Sequence, residues 1–439
     1  MPMTDIYDHP LLKLPKYGAG TGLHRVDFLM NAVGIERQAL SARTVVVTGS
    51  NGKGSTAKIS SELLRAGDAK VGLFTSPHLY RYNERFQVDG APVADNDLIS
   101  ALDAVHRAVE AYRATHDDAV GAFEAQFVVA LLHFQRSAVD WMVLEAGIGG
   151  RYDPVRLAKA PVTALVSLDL EHTELLGDTL LAIACDKLDA TPPGGTAILG
   201  ESCLPLENEL RAYADQVGIA LEFVQPDGWR DGGCKDGWQY FSFENPGMPA
   251  GALKSRLIGR HQINNHAVAF ALCRRRLGYA RDAGWGRAIE QVFWPGRLEQ
   301  VRDQPPVYVD VGHTPAGIET ALAGFRALTA DLPAILVTGG SRNKHVREML
   351  ELLVPHFDTI VCTAAYHNGM DADSVAGFAT EINPSADITC CRTMEEAAMA
   401  ALRAAEAAGR PVYVAGGLFL AIEFAEACRG NNPRALRFF

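Results

Sequence analysis

"VVVTGSNGKGSTAKISSELL", Val45–Leu64, decides the fold. It opens as a short β-branched run that reads as a strand. It then passes through Gly49, Gly52 and Gly54, and it continues as a helix. Strand, glycine-rich loop and helix in that order form a phosphate-binding arrangement. Glycines let backbone amides approach phosphate oxygens, the helix N-terminus adds partial positive charge, and Lys53 adds a full one. The candidate ligands of a nucleoside triphosphate are Gly49, Ser50, Asn51, Gly52, Lys53, Gly54, Ser55 and Thr56. The usual pattern puts Ser or Thr directly after the lysine, whereas Gly54 intervenes here before Ser55. Taken alone, the loop leaves a kinase, a GTPase-type switch and a ligase open. The bland alternative is a tight glycine turn with an exposed lysine.

On both sides of this stretch, brief Val- and Ile-rich runs alternate with amphipathic stretches. "TVVVTG", "VGLFTS", "DWMVLEAG", "VTALVSLD" and "TAILG" come first, and "VYVDVG", "AILVTGG", "TIVCTAA" and "PVYVAGG" follow. Such alternation implies parallel sheets covered by helices. A chain of 439 residues is long for one core, so two domains are expected. The break is placed at "FWPGRLEQV", where Pro and Gly interrupt a helix and a fresh β/α series begins. The expected fold class is thus α/β. A P-loop ATPase domain with a central, mostly parallel sheet covers residues 1–296, and a smaller C-terminal Rossmann-like α/β domain covers 297–439. Residues 225–256, rich in Gly, Trp and charge, read as a peripheral hairpin or loop insertion.

Composition narrows the partners. A net charge of −11 with no long basic run argues against nucleic acid. The eight cysteines include no CxxC pair, so they read as reduced intracellular thiols without a zinc ribbon. No apolar stretch of about 18 residues suggests a membrane span, and the N-terminus has no signal-peptide core. A cytoplasmic monomer acting on small molecules is the expectation.

Several motifs in order resemble the folylpolyglutamate synthase/dihydrofolate synthase branch of the Mur ligase superfamily. They are "LPKYGAGTGLHRV", "TGSNGKGST", "FTSPHLYRYNERFQVDG", "LEAGIGGRYD", "LEHTELLGDTLLAIACDK", "GRHQINNHA", "WPGRLE", "DVGHTP" and "AGGLFL". On chemistry alone, Glu145 at a strand end is the best Mg²⁺ candidate, because Mg²⁺ prefers oxygen ligands. His172 alone reads as a satisfied histidine, and Lys187 as a helix-face lysine. The resemblance implies more. Ser76, Glu145 and His172 would hold one Mg²⁺ beside the γ-phosphate. Lys187 would be carbamylated by CO₂ and ligate a second Mg²⁺. His261, Gln262 and Asn265 would lie near ATP, with Asn265 suited to adenine. Arg297 would reach the phosphates, Asp310 the ribose, and His313 the same nucleotide-facing loop. Read from the residues, Asp310 and the 261–265 stretch are equally compatible with helix capping.

The resemblance implies ATP-dependent ligation of an amino acid, usually glutamate, to a carboxylate acceptor of folate or dihydropteroate type through an acyl phosphate. Lys53, His172, Lys187 and Arg297 would be catalytic. Three departures stand out: Thr314 in "GHTP", Arg156 in "DPVR" and His345 in "NKH". They leave the triphosphate machinery intact, and Arg156 and His345 add positive charge near the expected acceptor region. They keep two alternatives open, a paralogue taking a non-folate acidic acceptor and a non-ligating ATP-binding regulatory subunit. A kinase ending at the acyl phosphate is a weaker third.

Overall fold

A computed structural model describes residues 5–244, 249, 251–278, 284–342 and 345–438. The first sheet contains β1 (Thr44–Thr48), β2 (Val71–Phe74), β3 (Phe86–Val88), β4 (Ala91–Pro92), β5 (Trp141–Glu145), β6 (Val162–Leu165), β7 (Thr196–Leu199) and β8 (Ala220–Phe223). Their spatial order is β4-β3-β2-β5-β1-β6-β7-β8. Every pairing is parallel except those of β3 with β2 and β4. β1 lies at the centre, pairing with β5 on one side and β6 on the other. All five of its residues are buried, as a strand covered by helices on both faces requires.

One face of the sheet is covered by helices Leu23–Ala32, Asp95–Arg113 and Ala122–Arg136. The other packs against Lys53–Arg65 and Arg260–Leu277. An antiparallel three-stranded sheet follows, β9 (Trp229–Lys235), β10 (Trp238–Phe243) and β11 (Ala252–Ser255). It is the insertion expected from 225–256, built with one strand more than a hairpin. Alternate residues of β10 point inward, and Phe243 meets Phe270 edge to face at 5.1 Å. Burying one such phenyl ring contributes roughly 1.5–3 kcal/mol.

The last sheet contains β12 (Glu299–Asp303), β13 (Pro306–Val309), β14 (Ile335–Thr338), β15 (Thr359–Cys362), β16 (Asp387–Cys390) and β17 (Val412–Ala415). Its order is β12-β13-β17-β14-β15-β16, parallel except for the β12–β13 hairpin. No helix among the described residues is long and apolar enough to cross a membrane.

Candidate nucleotide and metal site

The carboxyl ends of parallel strands share one sheet edge, where open α/β folds bind ligands. β1 ends there in the phosphate loop, β2 leads to Ser76, and β5 ends in Glu145. Gly49 has φ +144° and Gly52 φ +80°, conformations that favour glycine. A Cβ at Gly52 would also lie 2.6 Å from Asn265 Oδ1. The Asn265 amide therefore rests directly on the phosphate loop, and it donates to Gln262 Oε1 at 2.9 Å.

The loop is pinned from β6. Ser50 N donates to Ser167 O at 2.9 Å, and Asn51 N donates to Ser167 Oγ at 2.8 Å. These two amides shape the loop. No side chain among the described residues caps the helix that begins at Lys53, so its first amides are directed at the space a phosphate would fill. Ser55 Oγ and Thr56 Oγ1 in the same turn are buried with no hydrogen-bond partner among the described residues. Lys53 Nζ folds back onto Gly49 O at 2.7 Å and Ser50 O at 3.2 Å.

Glu145 is 4% exposed, and its Oε2 accepts from Ser76 N at 3.0 Å. Burial pushes its carboxyl up to about 7, against the pull of Lys53, the Ser76 N–H, Arg297 and Arg85. No cation among the described residues contacts it as an ion pair. A buried carboxylate with spare lone pairs at the sheet edge where the phosphate loop begins suits a hard divalent cation with oxygen ligands. His172 is the N-cap of a short turn at φ +47°. Its Nδ1 lies 3.8 Å from Glu174 Oε1. No three His, Cys, Asp or Glu side chains among the described residues cluster as a metal site, and the Ser76, Glu145 and His172 set contains only two of that kind.

Lys187 is buried on helix Leu180–Leu188. Its Nζ donates to Glu171 Oε1 at 2.8 Å and to Gly49 O at 3.2 Å. Burial lowers its pKa, with Lys53 acting in the same direction and Glu171 opposing. The helix thus meets the phosphate loop at Gly49.

Arg297, half-buried, donates to Gly296 O at 3.2 Å. Burial lowers its pKa, while Asp310 and Glu145 oppose the shift. Asp310 is buried. Its Oδ1 accepts from Gly312 N at 2.8 Å and its Oδ2 from Leu298 N at 3.1 Å, so it braces the junction leading out of Arg297. In the field of Arg297, His261 has a buried Nδ1 with no partner among the described residues, and burial pushes this imidazole down to about 4. His313 lies in the loop after β13, against Gly417 of the "AGG" turn.

The three departures have local partners. Thr314 is the N-cap of helix Pro315–Thr329, accepting from Gly317 N at 3.1 Å. Arg156 is exposed and donates to Arg151 O at 2.9 Å. His345 is exposed and faces Glu348 at 2.9 Å, while Asn343 and Lys344 before it lie outside the described residues.

Ser167, Glu171 and Asp186 join the residues expected from the sequence. Glu171 stands beside His172 as a second acid after β6, a signal that was available. Asp186 Oδ1 accepts from Gly150 N at 2.9 Å and, with Asp153 accepting from Gly147 N at 2.8 Å, shapes the "GIGG" turn. Ser167 reaches Asn51 across 116 residues of sequence, a pairing no local pattern announces.

Residues 296–418 match the model of the Mur ligase, glutamate ligase domain. The folylpolyglutamate synthase of Lacticaseibacillus casei is 30% identical over 81% of this chain and 83% of its own length. A probable bifunctional folylpolyglutamate synthase/dihydropteroate synthase of Halobacterium salinarum is 31% identical over 94% of this chain, which spans 50% of that longer protein. Among solved structures, Mycobacterium tuberculosis folylpolyglutamate synthase complexed with ADP superposes with a TM-score of 0.82 at 25% identity, covering 94% of this chain and 96% of that one.

Proposed function

The chain belongs to the folylpolyglutamate synthase/dihydrofolate synthase family of the Mur ligase superfamily, and we propose that it is an ATP-dependent ligase that joins glutamate to a folate- or dihydropteroate-type carboxylate. The observation that carries this reading is the convergence on Glu145. Lys53 from the phosphate loop, the Ser76 N–H from the end of β2 and Arg297 from the junction all act on this one buried carboxyl. Separate segments of chain supply the charges that a triphosphate and an attacking carboxylate need.

ATP lies with its phosphates over the uncapped start of helix Lys53–Arg65. Lys53 leaves its intraloop carbonyls and, with Arg297, draws charge from the γ-phosphate. The acceptor carboxylate attacks the γ-phosphorus, the bond to the β-phosphate oxygen breaks, and ADP leaves. The amine of glutamate attacks the resulting acyl phosphate, phosphate departs, and an amide remains. Positioning and charge stabilisation supply most of the catalysis, as in other phosphoryl transfers. Closure about the 296/297 junction excludes the water that would hydrolyse the acyl phosphate. Glu145, with Ser76 and His172, would hold one Mg²⁺, and Lys187 as its carbamate would be the ligand for a second. Bound there, Mg²⁺ neutralises phosphate and carboxylate charge as the two approach. The lowered pKa of Lys187 supports the carbamate, because CO₂ adds to a neutral amine. Ammonium at Lys187 pairs instead with Glu171.

A folate-type acceptor is preferred over a more acidic one, because Thr314, Arg156 and His345 each have a local structural partner. The test is release of ADP and phosphate from ATP and Mg²⁺ with tetrahydrofolate or dihydropteroate and glutamate. Amide product that requires all components is the expected result. Turnover only with another acidic carboxylate would overturn the acceptor, ADP without amide would favour a kinase, and no turnover with any pair would favour a regulatory subunit.

A further inference from the structure

The segment Pro433–Phe438 crosses from the six-stranded sheet unit to the loop that carries Ser76. Phe438 is 2% exposed and packs on Phe419 and His367, with ring centroids 4.8 and 5.3 Å away. The carbonyl of the preceding Arg437 faces His78 Nε2 at 2.7 Å. Arg437 also pairs with Asp5 at 3.3 Å and lies over the Tyr7 ring. On the other edge of the same imidazole, Arg85 Nε donates to His78 Nδ1 at 2.9 Å.

These partners fix the tautomer of His78. A carbonyl only accepts and a guanidinium only donates. Nε2 must therefore carry the proton and Nδ1 must be bare. Arg85 is 6% exposed. Besides His78 it donates to Gln126 Oε1 at 3.1 Å, and among the described residues no carboxylate lies within ion-pair distance of it. A buried guanidinium held only by neutral groups projects its charge further than a paired one, and Glu145 is among the groups that feel it.

We propose that His78 is a positioning residue that couples the seating of Pro433–Phe438 to the placement of the Arg85 guanidinium, whose field reaches Glu145. The 433–438 segment belongs to the unit that supplies Arg297 and Asp310, whereas Ser76, Arg85 and Glu145 belong to the other. One imidazole therefore reports the relative position of the two units to the phosphate end of the cleft. Its consequence for nucleotide binding rests on the proposed ligase reading; the coupling itself does not.

The experiment is a double-mutant cycle with two readouts. His78→Asn keeps an acceptor near the Nδ1 position but is too short to reach Arg437 O. His78→Gln restores a donor near the Nε2 position. Phe438→Ala unseats the segment from its far side. The first readout is hydrogen–deuterium exchange of residues 76–85 in the unliganded protein. His78→Asn and Phe438→Ala should raise exchange there to the same extent, the double variant should go no further, and His78→Gln should return it toward wild type. The second is the affinity for the ATP analogue AMPPCP with Mg²⁺, where both single variants should weaken binding several-fold without additivity. Additive effects in exchange, or a Phe438→Ala variant with unchanged exchange at 76–85, would overturn the coupling. Coupled exchange with unchanged nucleotide affinity would overturn the link to Glu145. Failure of the wild-type protein to bind the analogue would count against the ligase reading while the exchange readout still decides the coupling. Circular dichroism melting of each variant confirms that the fold is retained.

Discussion

Two buried carboxyls, one in each sheet unit, are pushed up to about 7 by burial: Glu145 at the end of β5 and Glu423 on helix Leu418–Cys428. Glu423 accepts from Tyr366 N at 2.6 Å and from His367 N at 2.9 Å. Each of its oxygens holds a backbone amide, and the loop after β15 is tied down as a result. Glu145 accepts from one amide, Ser76 N, and stands in the field of Lys53, Arg297 and Arg85. A raised carboxyl pKa therefore marks burial. A site is marked by spare lone pairs with cations converging from separate segments.

The largest test of that contrast lies at the phosphate loop. Lys53→Ala should lose turnover by about 10²-fold or more, because it removes charge from the transferring phosphoryl group. Glu145→Gln should lose turnover on a similar scale while its melting temperature holds or rises, since a neutral amide is cheaper to bury than a carboxylate. Steady-state kinetics with thermal melts on both variants checks this. Near-normal turnover by folded Glu145→Gln would make Glu145 another Glu423.

Next in size is Lys187. Its Nζ lies between Glu171 and Gly49 O, so a carbamate there would put a new anion beside both the phosphate loop and Glu171. Divalent metal is needed to hold those charges together. Lys187→Ala should lose activity, and short carboxylic acids should partly restore it. ¹³C NMR of protein equilibrated with labelled bicarbonate should report a carbamate in the presence of Mg²⁺. Full activity in CO₂-depleted buffer with no carbamate signal would remove Lys187 from the site.

Much of this architecture was legible in the sequence for one reason: central strands of parallel sheets are buried on both faces and must be apolar. "TVVVTG", "DWMVLEAG", "AILVTGG" and "PVYVAGG" became β1, β5, β14 and β17. Edge strands escape this rule. β16, "DITC", is largely exposed, and β8 is only partly covered, so neither carries an apolar signature. The positions of Lys53, Ser76 and Glu145 at one sheet edge were legible because glycine loops and strand ends declare themselves locally. Glu171 against Lys187, Ser167 against the phosphate loop, and His78 between Arg85 and Arg437 are long-range pairings. The charge-changing departures Arg156 and His345 read as substrate determinants in sequence, yet each has a nearby partner on its own loop or helix.

A smaller effect is expected at Glu423. Glu423→Ala leaves the amides of Tyr366 and His367 without their acceptor, at roughly 1–3 kcal/mol for each buried donor. Urea denaturation should register that loss of stability, while turnover per folded molecule stays close to wild type. A hundredfold fall in turnover with unchanged stability would reverse the assignment of the two carboxyls.

The smallest effect is in the pH dependence of stability, and here the two carboxyls should behave alike. The Glu423 carboxyl moves from 4.5 to about 7 on burial, and that of Glu145 does the same. Between those values the folded protein binds more protons than the unfolded chain, so each group makes stability fall as pH rises. The contribution is fully present below about 4.5 and is lost by the time pH has passed through 7. Glu423→Gln and Glu145→Gln, each unable to ionise, should each flatten the fall in unfolding free energy measured between pH 5 and pH 8 in chelator without nucleotide. Mg²⁺ then separates them. A divalent cation at the phosphate end favours the ionised Glu145, so adding it should flatten the wild-type and Glu423→Gln profiles and leave Glu145→Gln little changed. Equal response of all three proteins to Mg²⁺ would take Glu145 out of the metal set, whatever its effect on turnover.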